Sequence, residues 1–258
     1  MTPLVSVVVT TFNRSALLLE TLAAVRAQTF QDFEIIVVDN MSADGTDAAV
    51  AALQDPRMTY LRHPNHGVIS VNRNVGIRQA TGTYVAFCDD DDLWLPEKLA
   101  KQVKVMESDR AVGLCYTDGS TFRGDQVVHE RMISRRVHRH HFLNLIWDNC
   151  VPSSSVMVRR ALFEDLSLID ESPELLAVED YELWIRFAHR AKLAFIDEPL
   201  IRYRFHGASA ALSPAAVSLR NIRVLRSVQH KLNLPAWLIG PAIARQYAKH
   251  LWYRLAGR

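Results

Sequence analysis

Residues 82–94 of this 258-residue chain are Gly-Thr-Tyr-Val-Ala-Phe-Cys-Asp-Asp-Asp-Asp-Leu-Trp, and they decide the fold. An apolar run typical of a buried strand, 84–88, ends in four consecutive carboxylates, Asp89 to Asp92. In an open α/β sheet, ligands bind at the carboxyl ends of the strands. Four like charges are unfavourable there unless a cation lies among them, and oxygen ligands favour Mg²⁺ or Mn²⁺. A solvated turn before a helix N-terminus is the alternative, and the four acids alone leave both interpretations open.

Strand-like and helix-like segments alternate up to this point of the chain. The predicted order is strand 4–10, helix 15–28, strand 33–38, helix 47–53, strand 59–62, helix 68–80 and strand 84–88. Such alternation predicts a parallel sheet with right-handed βαβ connections. Beyond Pro96 the pattern becomes mixed, and it ends in a helical region, 214–258, that Pro235 and Gly240-Pro241 are expected to interrupt.

The composition is that of a folded protein, with 49% hydrophobic and 22% charged residues. No apolar run reaches the roughly 18 residues of a membrane-spanning helix, and the first residues lack the features of a signal peptide. The three cysteines are widely spaced, which favours reduced thiols over a disulfide framework or a zinc site. We therefore expect a cytoplasmic protein.

The C-terminal segment is basic. After Glu198 there are ten lysine or arginine residues and no acidic residue, so residues 1–198 carry a net charge of −8 against +2 for the whole chain. This asymmetry indicates an anionic partner. An apolar stripe recurs at helical spacing on Ala244, Tyr247, Ala248, Leu251, Trp252 and Leu255. The stripe either lies on an anionic membrane or packs on the rest of the chain, which would be the catalytic domain, or on a second subunit. We expect no nucleic acid as partner, because the aromatic residues lie on the apolar stripe and not among the basic residues.

Other polar motifs stand at places where α/β sheets bind ligands. The loop from Thr10 to Arg14 joins the first strand to the first helix, although it lacks GxGxxG. Asp39 ends the second strand, where it can contact a base or ribose or simply cap the turn. Arg73 can face phosphate or clamp the sheet. The pair Glu179-Asp180 opens a predicted helix, where it either points into a cleft or only stabilises the helix dipole.

Together these motifs resemble the GT-A glycosyltransferases of family 2. The matching segments are 8–14, 36–46, 72–76, 82–94, 151–155, 177–184 and 203–207. The resemblance implies a Rossmann-like α/β fold, with a mixed sheet flanked by helices and a C-terminal helical extension. It divides the chain into a catalytic domain over 1–210, with a nucleotide-sugar-binding half (1–95) and an acceptor-binding half (96–210), and a basic extension over 211–258. Many relatives have proline at Thr10 and an acid at Asn40, so base and sugar selectivity stay open.

The resemblance also implies roles for single residues. The nucleotide-sugar-binding residues would be Thr11, Asn13, Arg14, Asp39, Arg73, Asp89 and Asp90; the metal ligands would be Asp91, Asp89 and His206; and the catalytic residues would be Asp180 and Glu179. Asp39 would recognise uracil or another base, and Asp91 would be the more direct metal ligand. Asp90 would fill a variable position, and Asp92 would cap the following helix. Asp180 would be the catalytic base, with Glu179 as the alternative base.

The implied activity is inverting transfer of a sugar from a nucleotide-diphosphate donor, a UDP-sugar first, to a hydroxyl of a saccharide or lipid-linked acceptor. Mn²⁺ or Mg²⁺ would be the cofactor, and the product a surface polysaccharide or glycolipid. A nucleotidyltransferase is disfavoured because no Gly-rich, Lys-bearing loop follows the first strand. A degenerate, non-catalytic binding subunit is disfavoured because Asp89, Asp91 and Asp180 are intact. The inner face of a membrane and a second copy of the chain stay open as partners. The cluster of His138, His140 and His141 indicates either acceptor-side surface or a mobile loop, and we assign it no metal.

Overall fold

The computed structural model describes residues 2–133, 142–206 and 213–256. His138, His140 and His141 lie outside these ranges, and so does the prediction made for them. In the described residues nine strands form one mixed sheet in the order β3-β2-β1-β4-β8-β6-β9-β5, with β7 paired to β6. The strands are β1 (Val5–Thr11), β2 (Phe33–Asp39), β3 (Met58–Arg62), β4 (Tyr84–Asp89), β5 (Leu93–Trp94), β6 (Val112–Arg123), β7 (Gln126–His129), β8 (Met157–Arg159) and β9 (Lys192–Arg204).

Helices cover both faces of the sheet. They are α1 (Ser15–Arg26), α2 (Thr46–Ala51), α3 (Ile69–Gln79), α4 (Lys98–Ser108), α5 (Phe142–Trp147), α6 (Ala161–Leu166), α7 (Glu179–Arg190), α8 (Pro214–Lys231) and α9 (Ala236–Leu255). The predicted alternation of the first half is confirmed, since β1 to β4 are parallel. The strands predicted separately at 194–196 and 201–204 are one strand, β9, which contains register shifts opposite β6.

Side chains alternate along β1 between two hydrophobic clusters. Val7 and Val9 pack with Leu22 of α1 and Leu99 of α4, whereas Val8 belongs to the cluster on the other face, which α3 and α7 cover. A Cβ on Gly76 of α3 would lie 2.4 Å from Val8 Cγ1, so glycine allows α3 to lie directly on the sheet. The rigid core therefore fixes the starts of α3 and α7 relative to the strand ends.

The C-terminal residues are helical, as predicted, and they pack on the preceding residues through α8, which contacts α7, and through α9, which contacts α5. Ser213 caps α8 by accepting a hydrogen bond from Ala216 N, and Pro235 precedes α9. The expected interruption at Gly240-Pro241 is wrong, because α9 continues through Pro241. In the described part of the chain no helix is both long and apolar enough to span a membrane.

Candidate active site

The strand ends bring the predicted residues to one edge of the sheet. In the parallel register Thr11 of β1 pairs with Asp39 of β2, and Thr10 pairs with Asp89 of β4. The four acids that follow β4 therefore start beside the β1–α1 loop. Asn13 of that loop has φ 50° and accepts a hydrogen bond from Ala43 N at 2.8 Å, which ties the loop to the turn after β2.

Asp90 and Asp91 share one guanidinium. Arg14 Nη1 lies 3.2 Å from Asp90 Oδ1 and 2.9 Å from Asp91 Oδ2. Thr11 Oγ1 also donates to Asp90 Oδ2 at 2.7 Å. Asp90 is buried, and this burial raises its pKa to about 6. The carboxylate at the variable position of the motif thus joins the acids to the β1–α1 loop.

Asp92 does not cap a helix, and that prediction is wrong. The next helix, α4, starts at Lys98, after the short strand β5. Asp92 is fully buried, where Oδ2 accepts from Ser154 Oγ at 2.6 Å and Oδ1 accepts from the backbone N of Arg204 at 3.0 Å. Burial, followed by the charge of Asp89, raises the pKa of Asp92. Asp92 therefore joins β4 to two distant segments of the chain.

Asp39 is also fully buried and has several partners. Its carboxylate accepts from the backbone N and the hydroxyl of Ser42, and from the Tyr60 hydroxyl at 2.7 Å. Arg62 Nε lies 3.6 Å from Oδ2. Asp39 therefore caps the turn after β2, which is the simpler of the two interpretations of the sequence.

A cavity of about 280 Å³ lies between the β1–α1 loop and the start of α3. It is lined by Thr10, Thr11, Phe12, Arg14, Asn40, Asn65, Gly67, Ile69 and Asp90. Phe12 is 52% exposed and provides an aromatic face at this cavity. Asn40 Oδ1 accepts a hydrogen bond from Asn65 N at 2.8 Å, which positions the Asn40 amide on the cavity wall. Phe12, Asn40 and Asn65 were not predicted as site residues, because sequence patterns do not identify loop residues that meet only in the fold.

Arg73 joins the two acidic motifs. Its Nη2 lies 2.8 Å from Asp89 Oδ1, and its Nη1 lies 2.6 Å from Glu179 Oε1. Arg73 and Glu179 are both buried, whereas the Asp89 side chain is 30% exposed. The second oxygen of Glu179, Oε2, has no hydrogen-bond partner among the described residues. One guanidinium from α3 thus fixes the end of β4 relative to the start of α7.

Asp180 is half-buried at the start of α7, where its Oδ1 accepts from Tyr181 N at 2.6 Å. Burial, and after it the charge of Glu179, raises the pKa of Asp180 to about 7, although Arg73 opposes the increase. A carboxylate with such a pKa can accept a proton near neutral pH. Glu179 differs, because its charge is paired with Arg73.

A second cavity, of about 740 Å³, has the first acid of the β4 motif and both acids of α7 on its wall. It is lined by Ile69, Arg73, Asp89, Met132, Ile133, Asp148, Asn149, Cys150, Val151, Pro152, Ser153, Leu176, Ala177, Glu179, Asp180 and Tyr203. The structure thus brings Arg73, Asp89, Glu179 and Asp180 together here. Thr11, Arg14 and Asp90 line the smaller cavity, whereas Asp39 lies behind its wall. Ile69 lines both cavities, so the two are neighbours.

Asp91 and His206 converge although they are far apart in sequence. His206 Nε2 lies 2.8 Å from Asp91 Oδ2. Among the described residues no cluster of three or more His, Cys, Asp or Glu side chains could hold a metal ion. The Asp91 carboxylate nevertheless suits Mn²⁺ or Mg²⁺ that is shared with substrate phosphates, because such ions need only one or two carboxylates from the protein. Asp89 is bound to Arg73 and is not part of this pair.

Ser154 was missed as a site residue. Its hydroxyl accepts from Asp89 N at 3.0 Å and donates to Asp92, while its carbonyl accepts from Trp94 Nε1 at 2.8 Å. The segment 151–155 belongs to the resemblance, which is the signal that could have identified it. Arg204 was missed as well, and its Nε donates to the Asp91 carbonyl at 2.9 Å.

The sheet, its flanking helices and the acids after β4 define a GT-A fold. The sequence profile of "Glycosyl transferase family 2" matches residues 6–166, and the chain belongs to that family.

Curated relatives carry the same description. An uncharacterized glycosyltransferase of Rickettsia conorii is 30% identical over 208 residues, which are 79% of this chain and 33% of that protein. The chain thus spans about a third of the length of this relative. An Escherichia coli protein, UDP-Glc:alpha-D-GlcNAc-diphosphoundecaprenol beta-1,3-glucosyltransferase WfgD, is 23% identical over 211 residues, which cover 81% of this chain and 79% of that protein.

Solved structures share the fold. Residues 1–349 of Staphylococcus aureus TarS, in complex with UDP-GlcNAc, superimpose with a TM-score of 0.75 at 20% identity, covering 97% of this chain and 72% of that one. The mannosyltransferase PcManGT from Pyrobaculum calidifontis, in complex with GDP-Man and Mn²⁺, gives a TM-score of 0.61 at 19% identity and covers 100% of this chain and 77% of that one.

Proposed function

We propose that this chain is an inverting transferase that moves a sugar from a nucleotide-diphosphate donor to a hydroxyl acceptor. The observation that carries the proposal is the bridge from Asp89 through Arg73 to Glu179. It places Asp180, a carboxylate with a pKa of about 7, on the same cavity as the first acid of the β4 motif. Membership of the family supports the same reaction class.

The donor is proposed to occupy both cavities. The nucleoside would lie in the cavity of about 280 Å³, against Phe12 and Asn40, and the sugar would lie in the larger one. Because the Asp39 carboxylate is buried among protein donors, Asp39 would act on the base by holding the turn that carries Asn40. The UDP-GlcNAc bound to TarS supports a UDP-sugar as the first donor to test. Arg14 is exposed enough to contact the diphosphate as well as its two acids.

Asp91 and His206 would hold a divalent cation, with Asp89 beside them. The cation would supply positive charge to the diphosphate as it leaves, and Mn²⁺ in PcManGT supports this choice. Arg73 would not reach the diphosphate while it bridges Asp89 and Glu179, so we assign it to positioning these acids.

The transfer is a single displacement. Asp180 accepts the proton of the acceptor hydroxyl, whose oxygen forms a bond to the anomeric carbon. The bond from that carbon to the diphosphate oxygen breaks, and the nucleoside diphosphate leaves with the electron pair. Because attack comes from the face opposite the leaving group, one displacement inverts the anomeric configuration. Glu179 would keep Arg73 in place and is the less suitable base, since its charge is already paired.

The acceptor is proposed to be a saccharide or a lipid-linked saccharide, in the synthesis of a surface polysaccharide or glycolipid. WfgD, whose name specifies a diphosphoundecaprenol acceptor, supports this class. Residues 1–210 would form the catalytic domain, and the helices after it would form a basic extension.

The test is an assay of nucleotide sugars, each incubated with the full chain, Mn²⁺ and saccharide or lipid-linked acceptors. We expect one donor to be consumed with release of the nucleoside diphosphate. Release of a sugar phosphate, with transfer of the nucleotidyl group, would instead indicate a nucleotidyltransferase. Binding of a donor without turnover of any acceptor would indicate a non-catalytic binding subunit.

A further inference from the structure

The last helix, α9, has two apolar faces, and only one of them packs on the protein. Ile239, Ala242 and Gln246 are buried on the side that contacts α8 and α5. The stripe predicted from the sequence lies on the opposite side and faces outward. The expectation that this stripe packs on the catalytic domain is therefore wrong.

The outward face consists of apolar side chains along its whole length. Successive exposed positions are separated by three or four residues, as one face of a helix requires: Trp237, Pro241, Ala244, Ala248, Leu251 and Leu255. Trp252 lies beside them. Trp237 is 76% exposed, Trp252 57% and Leu255 89%. At 1.5 Å per residue the stripe is about 27 Å long, and monomeric soluble proteins rarely expose such a continuous apolar surface.

The surroundings of this face are basic. Neither α8 nor α9 contains an acidic residue. Arg223 and Arg226 are exposed on α8, and Arg226 Nη2 donates to the Tyr247 hydroxyl at 3.1 Å, so this arginine lies at the border of the stripe. Arg254 is exposed on α9 itself. Positive charge therefore accompanies the apolar stripe.

We propose that the outward face of α9 lies in the interface of a membrane that contains anionic phospholipid. An amphipathic helix with tryptophans on its apolar face and arginines around it has the composition of helices that lie in this interface. A symmetric contact with a second copy would place basic surroundings against basic surroundings, which is unfavourable. Charge complementarity thus favours the lipid surface over a second copy of the chain. Binding of α9 to lipid does not depend on the proposed transferase activity.

The same helix is connected to the wall of the larger cavity. Arg245 Nη2 lies 2.9 Å from Asp148 Oδ2, and Lys249 Nζ lies 3.1 Å from the same oxygen. Asp148 lines the cavity that contains Asp180. Trp147, 45% exposed, ends α5 next to it. A helix that lies in the membrane interface would therefore hold the acceptor side of the cavity close to the lipid, a consequence that rests on the proposed function.

The test measures sedimentation of the full chain with phosphatidylcholine vesicles, alone or mixed with an equal part of phosphatidylglycerol. We expect binding to the mixed vesicles, and a reduction on the order of tenfold or more in the triple variant Leu251→Gln, Trp252→Gln, Leu255→Gln. Arg226→Gln and Arg254→Gln should each weaken vesicle binding roughly fivefold, with a smaller effect at high salt. The matched control is Val127→Gln with Val128→Gln, which changes exposed apolar residues of β7 and should bind as the wild type does.

No donor or acceptor is present in this assay, so failure of the proposed function leaves its result unchanged. The triple variant should keep its unfolding midpoint and its turnover with a water-soluble acceptor, because the substituted side chains are exposed and none of them lines the cavity that contains Asp180. Equal vesicle binding by the wild type and the triple variant, or no binding by the wild type, would overturn the proposal. A dimer in analytical ultracentrifugation that the triple variant dissociates, without vesicle binding, would assign the face to self-association instead.

Discussion

Substitution of Arg73 by methionine tests whether the bridge between the two acidic motifs sets the chemistry of Asp180. The side chain of Arg73 is 7% exposed and contacts Glu179 Oε1 at 2.6 Å and Asp89 Oδ1 at 2.8 Å. Its charge lowers the pKa of Asp180, which burial and Glu179 raise to about 7. Without Arg73 the pKa of Asp180 should therefore rise further.

The magnitude follows from the loss of one nearby opposite charge, which changes a carboxyl pKa by about one to three units. The base must be ionised to accept a proton, so kcat/KM falls below its pKa. In wild type this acidic limb should lie near pH 7, and in Arg73→Met it should move upward by about one unit or more. Activity near pH 7 would fall about fivefold or more and recover in part at higher pH.

The assay is the pH profile of kcat/KM for the wild type, Arg73→Met and Arg73→Lys. Lysine keeps the charge but cannot bridge two carboxylates with a planar fork. The acidic limb of the kcat/KM profile of Arg73→Lys should therefore stay near pH 7, while the maximal kcat/KM falls. Arg73→Met also leaves Glu179 buried without a counter-charge, which costs about 3–5 kcal/mol of stability. Adding Glu179→Gln to Arg73→Met removes that charge and should restore part of the lost stability. An acidic limb at the same pH in Arg73→Met and in the wild type would show that Arg73 does not set the pKa of Asp180.

Two further predictions concern the cation and a buried lysine. Asp91→Ala and His206→Ala should each weaken the binding of a UDP-sugar in the presence of Mn²⁺ but change UDP-sugar binding with a chelator little; calorimetry that finds unchanged affinity with Mn²⁺ would exclude both as ligands. Lys98 is fully buried against the Trp94 ring, and burial lowers its pKa to about 7. The unfolded chain therefore binds more protons between about pH 7 and pH 10, so wild-type stability should rise with pH there. Lys98→Met removes this dependence. In urea unfolding, the free energy of unfolding of Lys98→Met minus that of the wild type should therefore decrease by about 2 kcal/mol from pH 7 to pH 9. A difference that stays constant with pH would contradict the assigned pKa of Lys98.

The sequence was sufficient for the first half of the fold because strand and helix periods are local. The position of the four acids followed from one apolar strand, and the register places Asp89 beside Thr10 as parallel strands require. The individual partners were not predictable. Ser154 lies 62 residues after Asp92, and the backbone N of Arg204 lies 112 residues after it, so only the closed fold brings them together.

The C-terminal helix shows a second limit. Its spacing predicted an apolar stripe, but α9 also has Ile239 and Ala242 on its other side. A helix that is apolar on two faces does not indicate which face is covered, and the contacts with α8 decide this. Pro241 was expected to break the helix, yet α9 continues through it, and the proline ring lies on the exposed face.

In the proposed mechanism Asp180 takes the proton of the acceptor hydroxyl. The most direct measurement compares wild type with Asp180→Asn, which has nearly the same volume, for UDP-sugar binding by calorimetry and for transfer to the acceptor. We expect donor affinity within about twofold of wild type and transfer reduced by about 10²–10⁴-fold at every pH. Transfer near the wild-type rate, with the acidic limb still near pH 7, would contradict the assignment of Asp180 as the base.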